Sequence, residues 1–202
     1  MNYLSLILFT VATCGTPGPN NTMIMSSGVT YGFRRSLPHV IGINVGFPFM
    51  VVAVGLGLRE VLRSSPHVYT YLRPIAVTYL LYLAYRIATG PVTEHAAAEK
   101  KPLSLVQAAL FQWVNPKAWL MVVGAVTTYA TVAGTYFVNV LLVALVFLVF
   151  GTPCTTFWLW LGTSFKRVLR KPVQFRAFNI VMACLLVGSL VPLVGEAFSG
   201  LR

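Results

Sequence analysis

Two short runs in this chain combine helix-breaking prolines with polar side chains: Thr16-Pro17-Gly18-Pro19-Asn20-Asn21 and Asn115-Pro116-Lys117. Both lie inside apolar stretches. A proline in a helix interior removes a hydrogen bond and clashes with the preceding turn, at a cost of roughly 3 kcal/mol. Pro17, Gly18 and Pro19, and likewise Pro116, are therefore expected to unwind their helices, leaving carbonyls on one side of each break and the amides of a new half-helix on the other. The amides and the positive dipole end suit a carboxylate. Asn20, Asn21 and Asn115 would then hydrogen-bond the ligand's other polar groups. Lys117, a lysine well inside a hydrophobic stretch, would pair with the carboxylate or change protonation. The plainer alternatives are that Asn20 caps its half-helix and that the Lys117 side chain reaches for the interface.

Other polar residues at apparent membrane depth are single amides, Asn44, Asn139 and Asn179, with Gln112 one turn before Pro116. Hydrogen bonds between helices, worth about 1 kcal/mol, are their ordinary role, and Asn44 and Asn179 are also candidates for the binding path. Tyr79, Tyr82 and Tyr85 recur every third residue along one helix face. Tyr85, beside Arg86, fits the interfacial aromatic belt, whereas Tyr79 and Tyr82 lie deeper and are candidates to line a path.

The elements that position these residues follow from composition. Hydrophobic residues make up 57% of the 202 and charged ones 9%, and the apolar residues form stretches of about twenty. About twenty residues cross a hydrocarbon core of roughly 30 Å, so the chain reads as an integral membrane protein in the lipid bilayer. Six crossings are expected, at about 3–27, 37–62, 67–89, 104–130, 135–163 and 174–197. The first lacks the basic flank of a cleavable signal and is expected to remain as helix one. The longest polar stretch, about Gly90–Pro102, is too short to bury a core, which excludes chemistry in an aqueous domain. The net charge is +11, and ten of the fifteen Lys and Arg mark three loops: Arg34 and Arg35; Arg86, Lys100 and Lys101; Lys166, Arg167, Arg170, Lys171 and Arg176. That placement argues for membrane orientation rather than nucleic acid, with three basic loops in the cytoplasm and both termini periplasmic. Arg59, Arg63 and Arg73 run against the scheme.

Pro17 and Pro116 stand ninety-nine positions apart, close to half the length. The fold class expected is an all-α membrane protein forming a single transmembrane domain. Its six helices would make two inverted three-helix repeats, about 1–95 and 103–202, with helices one and four broken. Repeats of this kind rock around a site at their interface. Gly42 and Gly46 form a close-packing step in helix two, continued by Gly55 and Gly57.

With the motifs in place, the chain resembles the LysE/RhtB amino-acid exporters, bacterial six-helix proteins of about this length. The resemblance rests on Thr16 to Asn21, Tyr31-Gly32-Phe33-Arg34-Arg35, Tyr79-Leu80-Leu81-Tyr82-Leu83 and Asn115-Pro116-Lys117-Ala118-Trp119. It implies efflux of amino acids across the bacterial inner membrane, energised by protons, and a homodimer. Many members carry Asp where this chain has Asn20. The chain has no Asp, and Glu60, Glu94, Glu99 and Glu196 lie in loops or near helix ends. The Pro-Gly-Pro-Asn-Asn form looks most like the branch exporting cysteine, O-acetylserine and other small neutral amino acids. A cationic substrate would need a buried counter-charge, so neutral zwitterions fit better. Their carboxylate would lie on half-helix amides and Lys117, and their ammonium on carbonyls near Thr16 and Pro17, with Asn20 or Asn115.

Other classes are less well supported. An intramembrane enzyme needs an acid–base, nucleophilic or metal set, but His39, His67 and His95 lie in or near loops without ligand spacing, and Ser26 and Ser27 lack a histidine in register. No metal or cofactor is expected. A thiol-handling protein would rest on Cys14, Cys154 and Cys184, which form no CxxC pair and read as apolar filler. An uncoupled facilitator of small polar metabolites stays open, because no carboxylate marks a proton site.

Overall fold

A computed structural model of the chain describes residues 2–58, 66–91, 101–130, 135–169 and 171–188, and all regular structure among them is helical. Arg59, Glu60, Arg63, Glu94, His95, Glu99, Lys100, Arg170 and Glu196 lie outside the described residues, as do the side chains of His67 and Arg73.

The elements are α1 (Tyr3–Gly15), α2 (Pro19–Tyr31), α3 (Phe33–Ala53, continued by a wide turn Val54–Leu58), α4 (Pro66–Ala88), α5 (Leu105–Phe111, tightening over Gln112–Val114), α6 (Pro116–Ala125, continued over Val126–Ala130), α7 (Tyr136–Val168) and α8 (Pro172–Gly188). Two stretches among the described residues, Phe33–Gly57 and Tyr136–Val168, are long and apolar enough by themselves to cross a membrane. Tyr3–Gly15, Val77–Ala88, Leu105–Val114 and Pro172–Gly188 are shorter apolar helices.

Both interruptions have the same local cause. A residue before proline is pushed out of the helical region by the ring. Thr16 (φ −74°, ψ 149°), before Pro17, and Asn115 (φ −84°, ψ 110°), before Pro116, are extended, and so is Gly18, before Pro19. Pro19 and Pro116 then each open a helix. There a missing N–H costs nothing and the fixed φ already fits. Pro38, Pro48 and Pro153, by contrast, are accommodated inside α3 and α7.

Helix α2 is the innermost element. Every residue from Asn21 to Thr30 is buried, among them the polar Asn21, Thr22, Ser26, Ser27 and Thr30. Its approach to α7 leaves no room for side chains at two glycines. A Cβ at Gly28 would lie 2.7 Å from the Leu159 carbonyl oxygen, and one at Gly162 would collide with that of Met25. The Gly42 and Gly46 step serves the same purpose in α3, where it meets Leu105 and Ala109 of α5.

Three apolar clusters fill the interior. One joins Leu6 of α1, Phe47 and Met50 of α3, Met121 and Val122 of α6, and Val143 and Phe147 of α7. A second joins Met23 of α2 to Leu80 and Leu83 of α4, Phe111 of α5 and Leu186 of α8. A third sets Ile24 of α2 against Val40, Ile43, Ala108 and Leu159. Large apolar side chains, including Leu4, Leu8, Phe49, Leu120, Trp160 and Val173, also face outward. Such a surface suits a hydrocarbon solvent.

Candidate functional site

The end of α1 presents a row of carbonyls that no further turn of helix can satisfy. Side chains from elsewhere take them. Asn21 donates through Nδ2 to the Cys14 oxygen at 2.7 Å and the Thr16 oxygen at 2.8 Å. Trp158 of α7 donates through Nε1 to the Gly15 oxygen at 3.2 Å. Lys117 arrives from the second break and donates through Nζ to the Thr16 carbonyl (2.8 Å), the Thr16 hydroxyl (2.8 Å) and the Pro17 carbonyl (3.2 Å). The three protons of the ammonium thus meet three oxygens at the negative end of α1, where a cation is favoured.

The second break is built by Asn115, whose Oδ1 accepts from the Lys117 backbone N–H at 3.1 Å and caps α6. Asn20 does not cap α2. Gly18 occupies that position, without a side-chain hydrogen bond. Asn20 instead pairs with Gln112: its Nδ2 donates to Gln112 Oε1 at 2.8 Å, and Gln112 Nε2 donates back to Asn20 Oδ1 at 3.2 Å. Gln112, fully buried, also donates to the Ala108 carbonyl at 2.9 Å. The two breaks are therefore joined twice, through Lys117 and through this amide pair.

Between them lies a cavity of about 40 Å³, lined by Gly18, Asn20, Asn21, Asn44, Asn115 and Lys117, with Cys14, Phe47, Phe147 and Thr155 among its other walls. Asn44 Oδ1 accepts from the Thr155 hydroxyl at 3.2 Å, while its buried Nδ2 has no partner among the described residues. A donor left over beside polar space is available to a bound solute. The uncapped first turn of α2 and the start of α6 both border the cavity, so two positive helix ends meet at one site.

Of the residues singled out in the sequence, Gly18, Asn20, Asn21, Asn44, Asn115 and Lys117 share this cavity. Pro17 contributes its carbonyl to Lys117, and Pro19 and Pro116 shape the two helix starts. Tyr79 and Tyr82 lie apart from it. Tyr79 packs on Phe111 and Tyr82 with centroids 6.2 Å away in each case, and Tyr82 is exposed with the Arg86 guanidinium over its ring at 6.0 Å. Asn179 is buried in α8 next to Gly90, its amide unpartnered among the described residues. His39, expected near a loop, is buried within α3. Sequence reasoning missed Thr155 and Trp158, and it set Gln112 apart from the site. Only Gln112 carried a signal, as an amide one turn from Pro116. The substrate-ammonium position proposed at Thr16 and Pro17 is filled by Lys117 itself.

The family model described as "LysE type translocator" matches residues 11–194. The chain is 31% identical over 185 residues to the cysteine/O-acetylserine efflux proteins of Escherichia coli (strain K12) and Shigella flexneri serotype 5b (strain 8401), covering 89% of this chain and 90% of each relative. No solved structure matches. With a match over nearly its whole length and the two proline breaks facing one polar cavity, the chain belongs to the LysE type translocator family.

Proposed function

We propose that the protein exports small neutral amino acids, cysteine and O-acetylserine among them, from the cytoplasm across the inner membrane. The two inverted repeats, about 1–95 and 103–202, alternate access to the cavity between the breaks. The observation that carries this reading is the set of three oxygens from Thr16 and Pro17 around an ammonium, beside two positive helix ends. A zwitterion needs both kinds of partner within a few ångströms. The similarity to cysteine/O-acetylserine efflux proteins supports the same substrate class.

The cavity's 40 Å³ holds about three waters at 10–15 Å³ each, less than an amino acid needs. Lys117 acts in the closed form as a stand-in for the substrate ammonium. On opening, the incoming ammonium takes the Thr16 and Pro17 oxygens, and Lys117, released from them, turns to the substrate carboxylate. Asn44 Nδ2 supplies a further donor. Lys117 is a titratable cation lining the cavity, and proton exchange would run through it. Both termini face the periplasm.

Reconstitution in liposomes loaded with labelled cysteine, O-acetylserine, homoserine or lysine tests this, with and without a pH gradient. Saturable efflux of the neutral amino acids, accelerated by the gradient, with little lysine movement is expected. Movement no faster than from protein-free liposomes sinks the reading. No carboxylate lines the cavity among the described residues, which favours a second version, an uncoupled facilitator. Neutral efflux indifferent to the gradient would select it.

A further inference from the structure

A second cavity, of about 80 Å³, lies further along α2. Its walls come from α2, α3, α4 and the chain around residues 90 and 101–103. From Asn20 at the first cavity to Tyr31 at the second, α2 rises about 16 Å at 1.5 Å per residue, so the two cavities are strung along one buried, polar helix.

The second cavity has one chemical character. Arg86 and Lys101 line it, with the hydroxyls of Ser26, Thr30 and Tyr31 and the imidazole of His39. The lining, among the described residues, adds hydroxyls and an imidazole to these two cations and no carboxylate. Two positive groups beside a recess of low dielectric attract an anion more strongly than they would in water. His39 gives the independent sign. It is 2% exposed, and neither ring nitrogen has a hydrogen-bond partner among the described residues. Leaving a buried donor unpaired costs about 1–3 kcal/mol, which a ligand bearing acceptors would recover.

We propose that this cavity binds the carboxylate of a small organic acid, with Arg86 and Lys101 as the charged partners and His39 as the buried donor. Given the export function proposed above, it is where a cytoplasmic amino acid first docks by its carboxylate before reaching the proline breaks. Ser26, Ser27, Thr30 and His39 are all buried, which favours a small free acid over a lipid headgroup held at the membrane surface.

The test uses the full chain in nanodiscs of zwitterionic lipid, with nitrogen-15 histidine, titrated with propionate, with alanine and with ethylamine. Propionate and alanine should shift one imidazole resonance saturably, the one absent from His39→Gln, and ethylamine should not. Arg86 and Lys101 are exposed, so Arg86→Gln and Lys101→Gln should fold normally by circular dichroism. Each should weaken propionate binding about tenfold, the loss of one charge-assisted hydrogen bond. The proposal falls if no saturable shift occurs, if ethylamine shifts His39 equally, or if neither substitution changes the affinity. It also falls, in favour of a headgroup site, if phosphatidylglycerol alone shifts His39 and blocks propionate. Propionate binding by a protein that moves no amino acid in liposomes would uphold the cavity and overturn only the export reading.

Discussion

The Lys117 ammonium stands 2.8 Å from the Thr16 carbonyl oxygen, 101 positions earlier in the chain. Each partner is the product of a proline break. Thr16 is extended because Pro17 follows it, and Lys117 lies in the first turn of α6 because Pro116 starts that helix. Backbone rules at two distant prolines thus set up one charged contact, and the molecule's proposed cycle is the making and breaking of that contact.

Lys117→Met keeps the length of the stem and removes the charge. The Thr16 carbonyl retains Asn21, and Thr16 and Pro17 are exposed, so the stability cost should stay near 1 kcal/mol or below. Transport should suffer far more. Loss of a charge-assisted partner worth about 1.5–3 kcal/mol corresponds to roughly ten- to a hundredfold slower cysteine efflux at equal expression. Efflux at the unsubstituted rate would remove Lys117 from the site.

Gly18→Ala tests the same contact from the other side. At φ 176° the backbone accepts any residue, so no strain arises there. A Cβ would, however, lie 2.7 Å from Lys117 Cδ and 3.2 Å from Nζ, pushing the ammonium off its oxygens. Thermal melting should shift little, within about 0.5 kcal/mol, while efflux drops several-fold. In a Lys117→Met background the alanine should have no further effect on transport. Additive losses would mean that Gly18 acts by another route.

The two breaks were legible from sequence because each couples a proline to a polar neighbour in an apolar run, and the reason is local. Proline alone was not the signal, since α3 and α7 absorb Pro38, Pro48 and Pro153. The cavity was legible only where its residues were conspicuous amides or a lysine. Thr155 bonds back to the Gly151 carbonyl of its own helix at 3.1 Å, so it reads like any membrane threonine until Asn44 is seen across from it. The Tyr79 and Tyr82 spacing fixed a shared face, but which way that face turns depends on Phe111 and Arg86, from outside the pattern. His39 was misjudged because burial by a neighbouring helix leaves no mark on a residue's own sequence context.

The Asn20–Gln112 pair should behave as a unit. Asn20→Ala leaves Gln112 Oε1 without its donor in a buried setting, at about 1–3 kcal/mol. Gln112→Ala strands the Asn20 amide in turn. A double-mutant cycle on denaturation in detergent should give a coupling near 1 kcal/mol. A coupling of zero would mean that the two amides find other partners.

Cys14 gives a direct view of opening. Its thiol lines the cavity between the breaks, facing Gly151, where an added Cβ would lie 3.3 Å from Sγ. A space of 40 Å³ admits a few waters but not a maleimide, so alkylation must wait for the cavity to enlarge. With Cys154 and Cys184 replaced by Ser, Cys14 should react much more slowly than in the denatured protein. Saturating cysteine-like substrate, lacking a thiol of its own, should slow it further by filling the opened site. Lys117→Met should speed it, because the contact that ties α6 to the end of α1 is gone and the open form is more populated. A rate equal to that of the denatured chain, unmoved by substrate and by the substitution, would show that the cavity is open at rest and that Lys117 closes nothing.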